Sequence, residues 1–349
     1  MTVPTLAPAR WLVTGGTGFL GLHLCRYLRS LGHEVVSFDI AAMPADEQIP
    51  GVTEIRGDIR EPAQLEAAVA GCDYVAHCAA ALALARPEEI TAVNVGGTRN
   101  LLEACARHRV KRLVYISSTA VYGMPKFHPI FEDAPLDPMG DYGVSKAAAE
   151  RACLGQSAVP AMVIRPKSFI GTGRLGIFQI LFDWIECGKR IYVLGNGRNR
   201  FQLLAVDDLV NAIVLAVERG RAGQVYNVGA ARYGTVNEDV GALLAHAHTG
   251  SRIAHIPSGP AKLALGLLER LHLSPVYRWV YDTADQDSYV SIDKAQRELG
   301  WQPDFSNAET MIRTYDWYLE KGKILAQATG TSHRVAWKQG ALKILKAFS

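Results

Sequence analysis

The sequence lacks most of the features that mark secreted, metal-binding, membrane-spanning and nucleic-acid-binding proteins. Its six cysteines form no Cys-x-x-Cys pair and no metal-site spacing, so we expect free thiols in a reducing compartment and no bound metal. No apolar run reaches the roughly 18–20 residues that span a bilayer. The net charge of +3 is too small to indicate a nucleic-acid partner. The first ten residues have neither a basic segment nor an apolar core, which predicts a cytoplasmic protein without a signal peptide.

What is present is typical of a globular α/β protein. Hydrophobic residues make up 49% of the 349 residues and charged residues 20%, as in soluble domains. Short apolar strands alternate with helices, which predicts a parallel sheet covered on both faces. Strands are predicted at 10–14, 34–39, 53–56, 73–78, 112–117 and 160–165, and helices at 19–31, 61–70, 88–108 and 143–154. Residues 201–206 and 224–228, with a helix at 207–218 between them, are expected to return to the sheet.

A glycine-rich turn after the first strand predicts a dinucleotide site. Gly15, Gly18 and Gly21 follow the strand at three-residue intervals and lead into a helix. Without Cβ atoms, the turn can be tight and a pyrophosphate can approach the backbone amides at the helix N-terminus. The second strand ends in Asp39, eighteen residues after the last glycine. A carboxylate there can bind both ribose hydroxyls and repel a 2′-phosphate, so we predict NAD rather than NADP.

The predicted fold is therefore a Rossmann-type doubly wound parallel sheet with a smaller C-terminal lobe for the substrate. We expect residues 1–166 and 201–228 to form the NAD-binding domain, residues 167–200 and 229–320 to form the substrate-binding lobe, and residues 321–349 to form a basic tail. In such folds, substrate and nicotinamide meet at the carboxyl ends of the strands.

Tyr142 and Lys146 form a candidate acid–base pair. They lie four residues apart at the start of a predicted helix, which places both side chains on one face. An ammonium beside the phenol favours phenolate, so Tyr142 can exchange a proton near neutral pH. The hydroxyls of Ser117, Ser118 and Thr119 follow the strand at 112–117. Each piece alone also occurs by chance on helices and turns, but their order after a dinucleotide motif favours catalysis.

Eight short motifs occur in a fixed order along the chain. They are TGGTGFLG at 14–21, GDI at 57–59, HCAA at 77–80, VNVGGT at 93–98, YISSTAVYG at 115–123, YGVSK at 142–146, IRP at 164–166 and VDDL at 206–209. With these motifs, about residues 10–320 resemble an extended short-chain dehydrogenase/reductase of the NAD-dependent epimerase/dehydratase group. The resemblance implies an enzyme that acts on a small-molecule substrate and works as a homodimer.

The resemblance also implies roles for individual residues. Ser118, rather than Ser117 or Thr119, would be the catalytic hydroxyl, and Lys146 would hold the nicotinamide ribose as well as tune Tyr142. Asp58 and Ile59 would flank the adenine, and Ala79 and Ala80 would line the cofactor path. The expected cofactor-binding residues are Gly15, Gly18, Phe19, Leu20, Gly21, Asp39, Asp58, Ile59, Ala79, Ala80, Asn94, Tyr142, Lys146 and Pro166.

The two residues after Ser118 restrict the reaction. Sugar 4,6-dehydratases carry Asp-Glu there and related decarboxylases a Glu, whereas this chain has Thr119 and Ala120. Without an ionisable group, elimination lacks its second acid–base pair, which leaves reversible hydride transfer at a secondary alcohol. The leading hypothesis is an NAD-dependent sugar epimerase of the 4-epimerase type, acting on a nucleotide- or lipid-linked sugar. The alternative is a 3β-hydroxysteroid-type dehydrogenase, and a remote one is a non-catalytic NAD-binding regulator.

The substrate lobe departs from the sugar-nucleotide pattern. Phe201 and Asp282 stand where epimerases carry diphosphate-clamping arginines, and Ser168 replaces a common Asn. Residues 195–199 and 260–303 instead resemble the 3β-hydroxysteroid dehydrogenase branch. The candidate substrate-binding residues are Thr119, Lys167, Ser168, Arg200 and Arg278, with Arg174 and Arg198 nearby.

The basic tail carries one further hint. From Lys321 onward it has six Lys or Arg residues and no acid. Trp337, Ala341, Leu345 and Phe348 fall at helical spacing, which is typical of a membrane-surface helix and also of a helix that docks on its own domain or on a partner subunit.

Overall fold

The computed structural model describes residues 2–83, 85–173, 178–270 and 278–322, with the backbone alone at 268–270, 278–280 and 322. Arg174, the side chain of Arg278 and the tail at 323–349, including the predicted amphipathic helix, lie outside the described residues. The chain divides into two compact units. The first unit comprises Met1–Ser168, Val206–Gly229 and Val290–Asp304, and the second comprises Phe169–Ala205, Ala230–Tyr289 and Phe305–Ser349.

The secondary structure alternates as the sequence predicts. The strands are β1 (Arg10–Thr14), β2 (Glu34–Asp39), β3 (Val52–Arg56), β4 (Tyr74–His77), β5 (Arg112–Ile116), β6 (Ala161–Pro166), β7 (Phe169–Ile170), β8 (Ile191–Leu194), β9 (Leu204–Ala205), β10 (Val225–Val228) and β11 (Ile253–Ile256). The helices are α1 (Phe19–Ser30), α2 (Pro62–Val69), α3 (Pro87–Thr91), α4 (Thr98–Arg107), α5 (Gly140–Leu154), α6 (Phe178–Glu186), α7 (Val206–Arg219), α8 (Val236–Ala247), α9 (Ser258–Arg270), α10 (Arg278–Thr283), α11 (Asp293–Leu299) and α12 (Asn307–Trp317).

The first unit is a doubly wound α/β domain, as predicted. Its seven strands follow the order β3-β2-β1-β4-β5-β6-β10, and every neighbouring pair is parallel. The strand order reverses between β1 and β4, and doubly wound sheets bind their ligands outside the carboxyl ends of the strands at such a point. The inner strands are buried on both faces because helices cover both; Trp11, Leu12 and Val13 of β1, for example, are inaccessible to solvent, whereas the edge strand β3 is largely exposed.

Two local predictions differ from the structure. The predicted helix at 88–108 is divided into α3, a π-helical segment (Ala92–Gly97) and α4. The placement of residues 201–206 in the main sheet is wrong, because β9 pairs with β7 in a two-stranded sheet. The reason is that Leu203 and Phe201 pack into the core of the second unit rather than that of the first.

Residues 290–304 belong to the first unit rather than to the C-terminal lobe. The buried indole of Trp301 donates a hydrogen bond to the carbonyl of Asp208 at the start of α7, at 3.0 Å. The backbone N–H of Asp304 donates to the carboxylate of the same Asp208 at 2.9 Å. These bonds satisfy polar groups that would otherwise be costly to bury, and they attach the segment to α7.

The second unit has its own apolar core. Phe182 of α6, Leu243 of α8, and Met311 and Tyr315 of α12 pack together there. Both α8 and α12 begin with a capping box, which satisfies backbone N–H groups of their first turns. Within the described part of the chain, no helix is long and apolar enough to cross a membrane.

A buried ion pair joins α5 to β6 in the first unit. Glu150 and Arg165 are 1% and 4% exposed, and they are linked through two hydrogen bonds of the guanidinium. Glu150 also accepts from Ser117 Oγ at 2.9 Å, and Arg165 donates to the hydroxyl of Tyr122 at 2.7 Å. These further bonds support the pair, which fixes where α5 lies against the ends of β5 and β6.

Replacing Glu150 should therefore destabilise the protein strongly. In Glu150→Ala the Arg165 guanidinium stays buried without its carboxylate, so we expect the free energy of unfolding to fall by about 3–5 kcal/mol. The matched control is Glu66→Ala, which removes the solvent-accessible contacts with Arg107 and His108 and should cost no more than about 1 kcal/mol. Urea denaturation of both variants measures the difference; equal losses would contradict this account of the pair.

Candidate active site

The turn after β1 requires glycine because other backbone approaches it closely. Gly15 has a φ of 69°, and a Cβ added there would lie 2.8 Å from the backbone of Ala79. A Cβ on Gly21 would lie 2.1 Å from the carbonyl oxygen of Gly15. Helix α1 begins after Gly18 and has no acidic residue in its first turn, so the positive end of its dipole is not offset locally. This arrangement of backbone fits a pyrophosphate.

Asp39 lies beside that turn, at the end of β2. One carboxylate oxygen accepts from the N–H of Thr17 and the other from the N–H of Ala41, both at 3.1 Å. These bonds fix the carboxylate, and each oxygen keeps a lone pair for a further donor. The first unit therefore brings the predicted ribose acceptor to the glycine turn, and these residues fit NAD.

Asp58 and Ile59, the predicted adenine neighbours, follow β3. The Arg60 guanidinium hydrogen-bonds the Asp58 carboxylate and lowers its pKa below the ordinary value. Ile59 is buried against Gly97, where a Cβ would lie 2.5 Å from the isoleucine side chain. The amide of Asn100 donates to the carbonyl of Ile59 at 3.3 Å, which helps to hold this segment.

Asn94 hydrogen-bonds both the segment after β4 and helix α5. Its side-chain oxygen accepts from the N–H of Ala81 at 2.8 Å, and its amide donates to the carbonyl of Ala81 at 3.1 Å and to Ser145 Oγ at 2.9 Å. Both amide hydrogens are thus used within the protein. Asn94 links the segment after β4, which contains the predicted cofactor neighbours Ala79 and Ala80, to helix α5.

His77 was given no role by the sequence, although it belongs to the HCAA motif. Its ring is buried between Thr14 and Thr98, with Nδ1 2.7 Å from one hydroxyl and Nε2 2.9 Å from the other. Burial and the charge of Lys146 lower its pKa to about 3. The ring is therefore neutral at physiological pH and connects the end of β1 to the start of α4.

The three hydroxyls after β5 have different surroundings. Ser117 is buried and donates to Glu150, so it belongs to the ion-pair network. Ser118 caps a short 3₁₀ helix (Thr119–Tyr122), accepting from the N–H of Ala120 at 3.1 Å. An accepting serine still has its proton to donate. Ser118 and Thr119 are half-buried, which suits a group that meets a ligand.

Lys146 is the buried cation of the site. It is 3% exposed, and its ammonium donates to the carbonyl of Ile116, the last residue of β5, at 2.8 Å. The ammonium lies 5.9 Å from the ring centroid of Tyr142 and 4.9 Å from that of Tyr115. Burial lowers its pKa to about 8, so it remains mostly charged at neutral pH. The structure thus places a positive charge next to the Tyr142 ring.

The candidate substrate-binding residues are divided between the two units. In the first unit, Lys167 is buried and Ser168 half-buried; both follow Pro166, the predicted cofactor neighbour that ends β6. Arg200 belongs to the second unit, where its side chain is exposed and its N–H donates to Asp287 at 2.7 Å. Among the described residues, no group of His, Cys, Asp or Glu is arranged to hold a metal ion.

Sequence reasoning missed Arg165 and Glu150, whose ion pair holds α5 against β6 next to the site. The available signal was an arginine in the otherwise apolar strand β6. A charge buried there costs free energy unless it is paired. The sequence contained no comparable signal for its partner, because Glu150 is one of several charged residues on α5.

Comparison with known proteins identifies the family. Residues 11–229 match the NAD dependent epimerase/dehydratase family. An uncharacterized protein of Sinorhizobium fredii is 37% identical, covering 96% of this chain and 85% of its own length. A 3 beta-hydroxysteroid dehydrogenase/Delta 5→4-isomerase of Mycobacterium tuberculosis is 33% identical, covering 93% of this chain and 95% of its own length.

A solved structure agrees with this assignment. The dTDP-glucose 4,6-dehydratase of Streptomyces venezuelae, crystallised with NAD, superimposes with a TM-score of 0.73 at 25% identity, covering 90% of this chain and 98% of its own. The fold, the glycine turn and these relatives agree: the chain is an NAD-dependent enzyme of the extended short-chain dehydrogenase/reductase type and belongs to the NAD-dependent epimerase/dehydratase family.

Proposed function

We propose that the chain catalyses reversible hydride transfer between NAD and a secondary alcohol, with Tyr142 as the acid–base group. The observation that carries this proposal is the buried Lys146 ammonium beside the Tyr142 ring. A positive charge there favours the phenolate, which accepts the hydroxyl proton of the substrate as the carbon loses hydride. Ser118 donates a hydrogen bond to the same substrate oxygen and holds it in place. NAD supplies the hydride acceptor when it is bound.

The residues beside Ser118 support a reaction without elimination. Thr119 and Ala120 occupy the first turn of the 3₁₀ helix and carry no ionisable group. Removal of water or carbon dioxide from a sugar needs a further acid or base at these positions. The reaction is therefore limited to exchange between an alcohol and its ketone.

Two enzyme activities would use this reversible hydride transfer. In the first, the enzyme is a 4-epimerase of a nucleotide- or lipid-linked sugar: the ketone turns over in the site and takes the hydride back on its other face. In the second, the enzyme is a 3β-hydroxysteroid-type dehydrogenase that releases the ketone. Both would use Ser118, Tyr142 and Lys146 in the same way.

One specific observation favours the dehydrogenase outcome. In the second unit, which the sequence assigns to substrate binding, the positions expected to clamp a diphosphate hold Phe201 and Asp282. The backbone carbonyl of Asp282 accepts from Lys262 at 2.9 Å, and Arg200, next to the first position, is exposed. The 33% identical relative is named for a steroid substrate, which needs no diphosphate clamp.

Bound cofactor separates the two outcomes. An epimerase regenerates NAD within each turnover and gains by retaining it, whereas a dehydrogenase must exchange it. We expect protein purified without added cofactor to release little NAD on denaturation and to depend on added NAD for activity. Stoichiometric retained NAD, with turnover of a sugar conjugate in its absence, would favour the epimerase.

Tyr142→Phe should abolish turnover and leave NAD binding largely intact, because it removes only the oxygen that exchanges the proton. Steady-state assays on a panel of secondary alcohols and calorimetric titration with NAD measure the two effects. Tyr74→Phe serves as the control. It removes a hydroxyl from the first residue of β4, at the amino end of the sheet and away from the site, and should keep its activity. If Tyr142→Phe keeps more than a few per cent of the activity, the acid–base assignment is wrong.

Asp39 should set the choice of cofactor. Asp39→Asn removes the charge and leaves a single acceptor oxygen where two had accepted from the N–H groups of Thr17 and Ala41, so NAD affinity should fall by about tenfold and NADP affinity should rise. Glu34→Gln, at the exposed start of the same strand, should change neither. Dissociation constants for both cofactors measure this, and wild-type protein that prefers NADP would contradict the assignment.

A further inference from the structure

Tyr115 is a buried tyrosine to which the acid–base mechanism gives no role. It lies in β5 with register partners His77 of β4 and Val163 of β6, and it is 1% exposed. Its hydroxyl has no hydrogen-bond partner within the described part of the chain, although leaving a buried hydroxyl unbonded costs free energy. The hydroxyl therefore gives no reason for a tyrosine here, and any role of this residue must come from its ring.

The ring of Tyr115 lies against the Lys146 ammonium. Nζ is 4.9 Å from the centroid of this ring, compared with 5.9 Å from the centroid of the Tyr142 ring. An ammonium within about 6 Å of an aromatic centroid is attracted by the negative face of the ring, and the attraction grows when both groups are removed from water. Tyr115 and Lys146 are 1% and 3% exposed, so this cation–π contact belongs to the stronger kind.

The ammonium has little other direct support. It has three N–H donors, and the carbonyl of Ile116 is its one hydrogen-bond acceptor among the described residues. Burial lowers the pKa of Lys146 to about 8, because the charged form loses its hydration there. Further loss of support would favour the neutral amine, which could no longer stabilise a phenolate.

The titratable groups around the ammonium do not replace this support at neutral pH. Burial lowers the pKa of His77 to about 3, so its ring is neutral, and it raises the pKa of the Cys78 and Cys153 thiols to about 12, so both stay protonated. Glu150 is already paired with the arginine of β6. Within the described site, the carbonyl of Ile116 and the tyrosine ring of β5 thus provide the direct contacts that favour the charged lysine.

We propose that Tyr115 is a positioning residue, whose ring holds the Lys146 ammonium beside Tyr142 through a cation–π contact. The inference rests on the proposed function, since it concerns the acid–base group of that same site. Burial keeps the pKa of Tyr115 well above its ordinary value, so its hydroxyl exchanges no proton in the reaction. Tyr115 acts through Lys146, because a lysine that stays charged and in place favours the phenolate of Tyr142.

Two substitutions separate the ring from the hydroxyl. Tyr115→Leu removes the ring and keeps an apolar side chain, so the pKa of Lys146 should fall by about one pH unit and that of Tyr142 should rise. Tyr115→Phe removes only the unbonded hydroxyl and should match the wild type in both. NMR titration with saturating NAD and with ¹³C at tyrosine Cζ and lysine Cε measures the two values.

A control for packing lies two residues earlier in β5. Leu113 is fully buried in the same apolar core as Tyr115. Leu113→Ala should lower the melting temperature at least as much as Tyr115→Leu does, yet leave the pKa of Lys146 and of Tyr142 unchanged. A variant with Tyr115→Phe and a fluorinated phenyl ring keeps the shape of the side chain but weakens its negative face, so it should reproduce part of the shift even if Tyr115→Leu fails to fold.

The pH profile of turnover gives a second readout. On a secondary alcohol that the wild-type protein oxidises, Tyr115→Leu should move the acidic limb of kcat/KM to higher pH, and Tyr115→Phe should not. Unchanged pKa values in both Tyr115→Leu and the fluorinated variant, or equal shifts in Leu113→Ala, would overturn the proposal. Equal shifts in Tyr115→Phe and Tyr115→Leu would also overturn it, because they would assign the effect to the hydroxyl. Absence of any turnover counts against the proposed function, and the NMR titration then still decides the role of Tyr115.

Discussion

The site depends on how helix α5 is fixed against the carboxyl ends of β5 and β6. Two buried contacts do this: Glu150 pairs with Arg165, and Lys146 donates to the carbonyl of Ile116. Buried charges are costly unless they are paired or hydrogen-bonded. Few other placements of the helix would keep both the ion pair of Glu150 and the hydrogen bond of Lys146. Tyr142, one turn before Lys146, follows from that placement, and the Lys146 ammonium comes to lie beside its ring.

The cofactor side of the first unit is set by close backbone contacts instead. Gly15 and Gly21 permit the approach of β1, the segment after β4 and helix α1. His77 and Asn94 then connect that segment to α4 and α5. The segment after β4 is thus joined to α4 and α5 by neutral side chains that are hydrogen-bonded at both ends.

Much of the first unit could be predicted because its signals are local. Alternating apolar runs, the glycine spacing, the acid at Asp39 and the four-residue spacing of Tyr142 and Lys146 can each be read within a few residues, and they predicted the Rossmann fold and the NAD family. The predictions that were wrong concern segments whose position is set by contacts with residues distant in the sequence. Residues 201–206 read as a strand of the main sheet, yet Phe201 and Leu203 pack in the core of the second unit. Trp301, expected in the C-terminal lobe, joins the first unit through Asp208. The homodimer, the cytoplasmic location and a membrane-surface role for the tail stay predictions.

The most direct test of the central claim is the pKa of Tyr142 itself. It can be measured by NMR titration of protein with ¹³C at Cζ of every tyrosine, with the signal assigned by its loss in Tyr142→Phe. The account predicts that Tyr142 ionises well below the ordinary tyrosine pKa of about 10, and that Lys146→Met returns it toward that value. Ionisation at about 10 or above in the wild-type protein, or no change in Lys146→Met, would contradict the account.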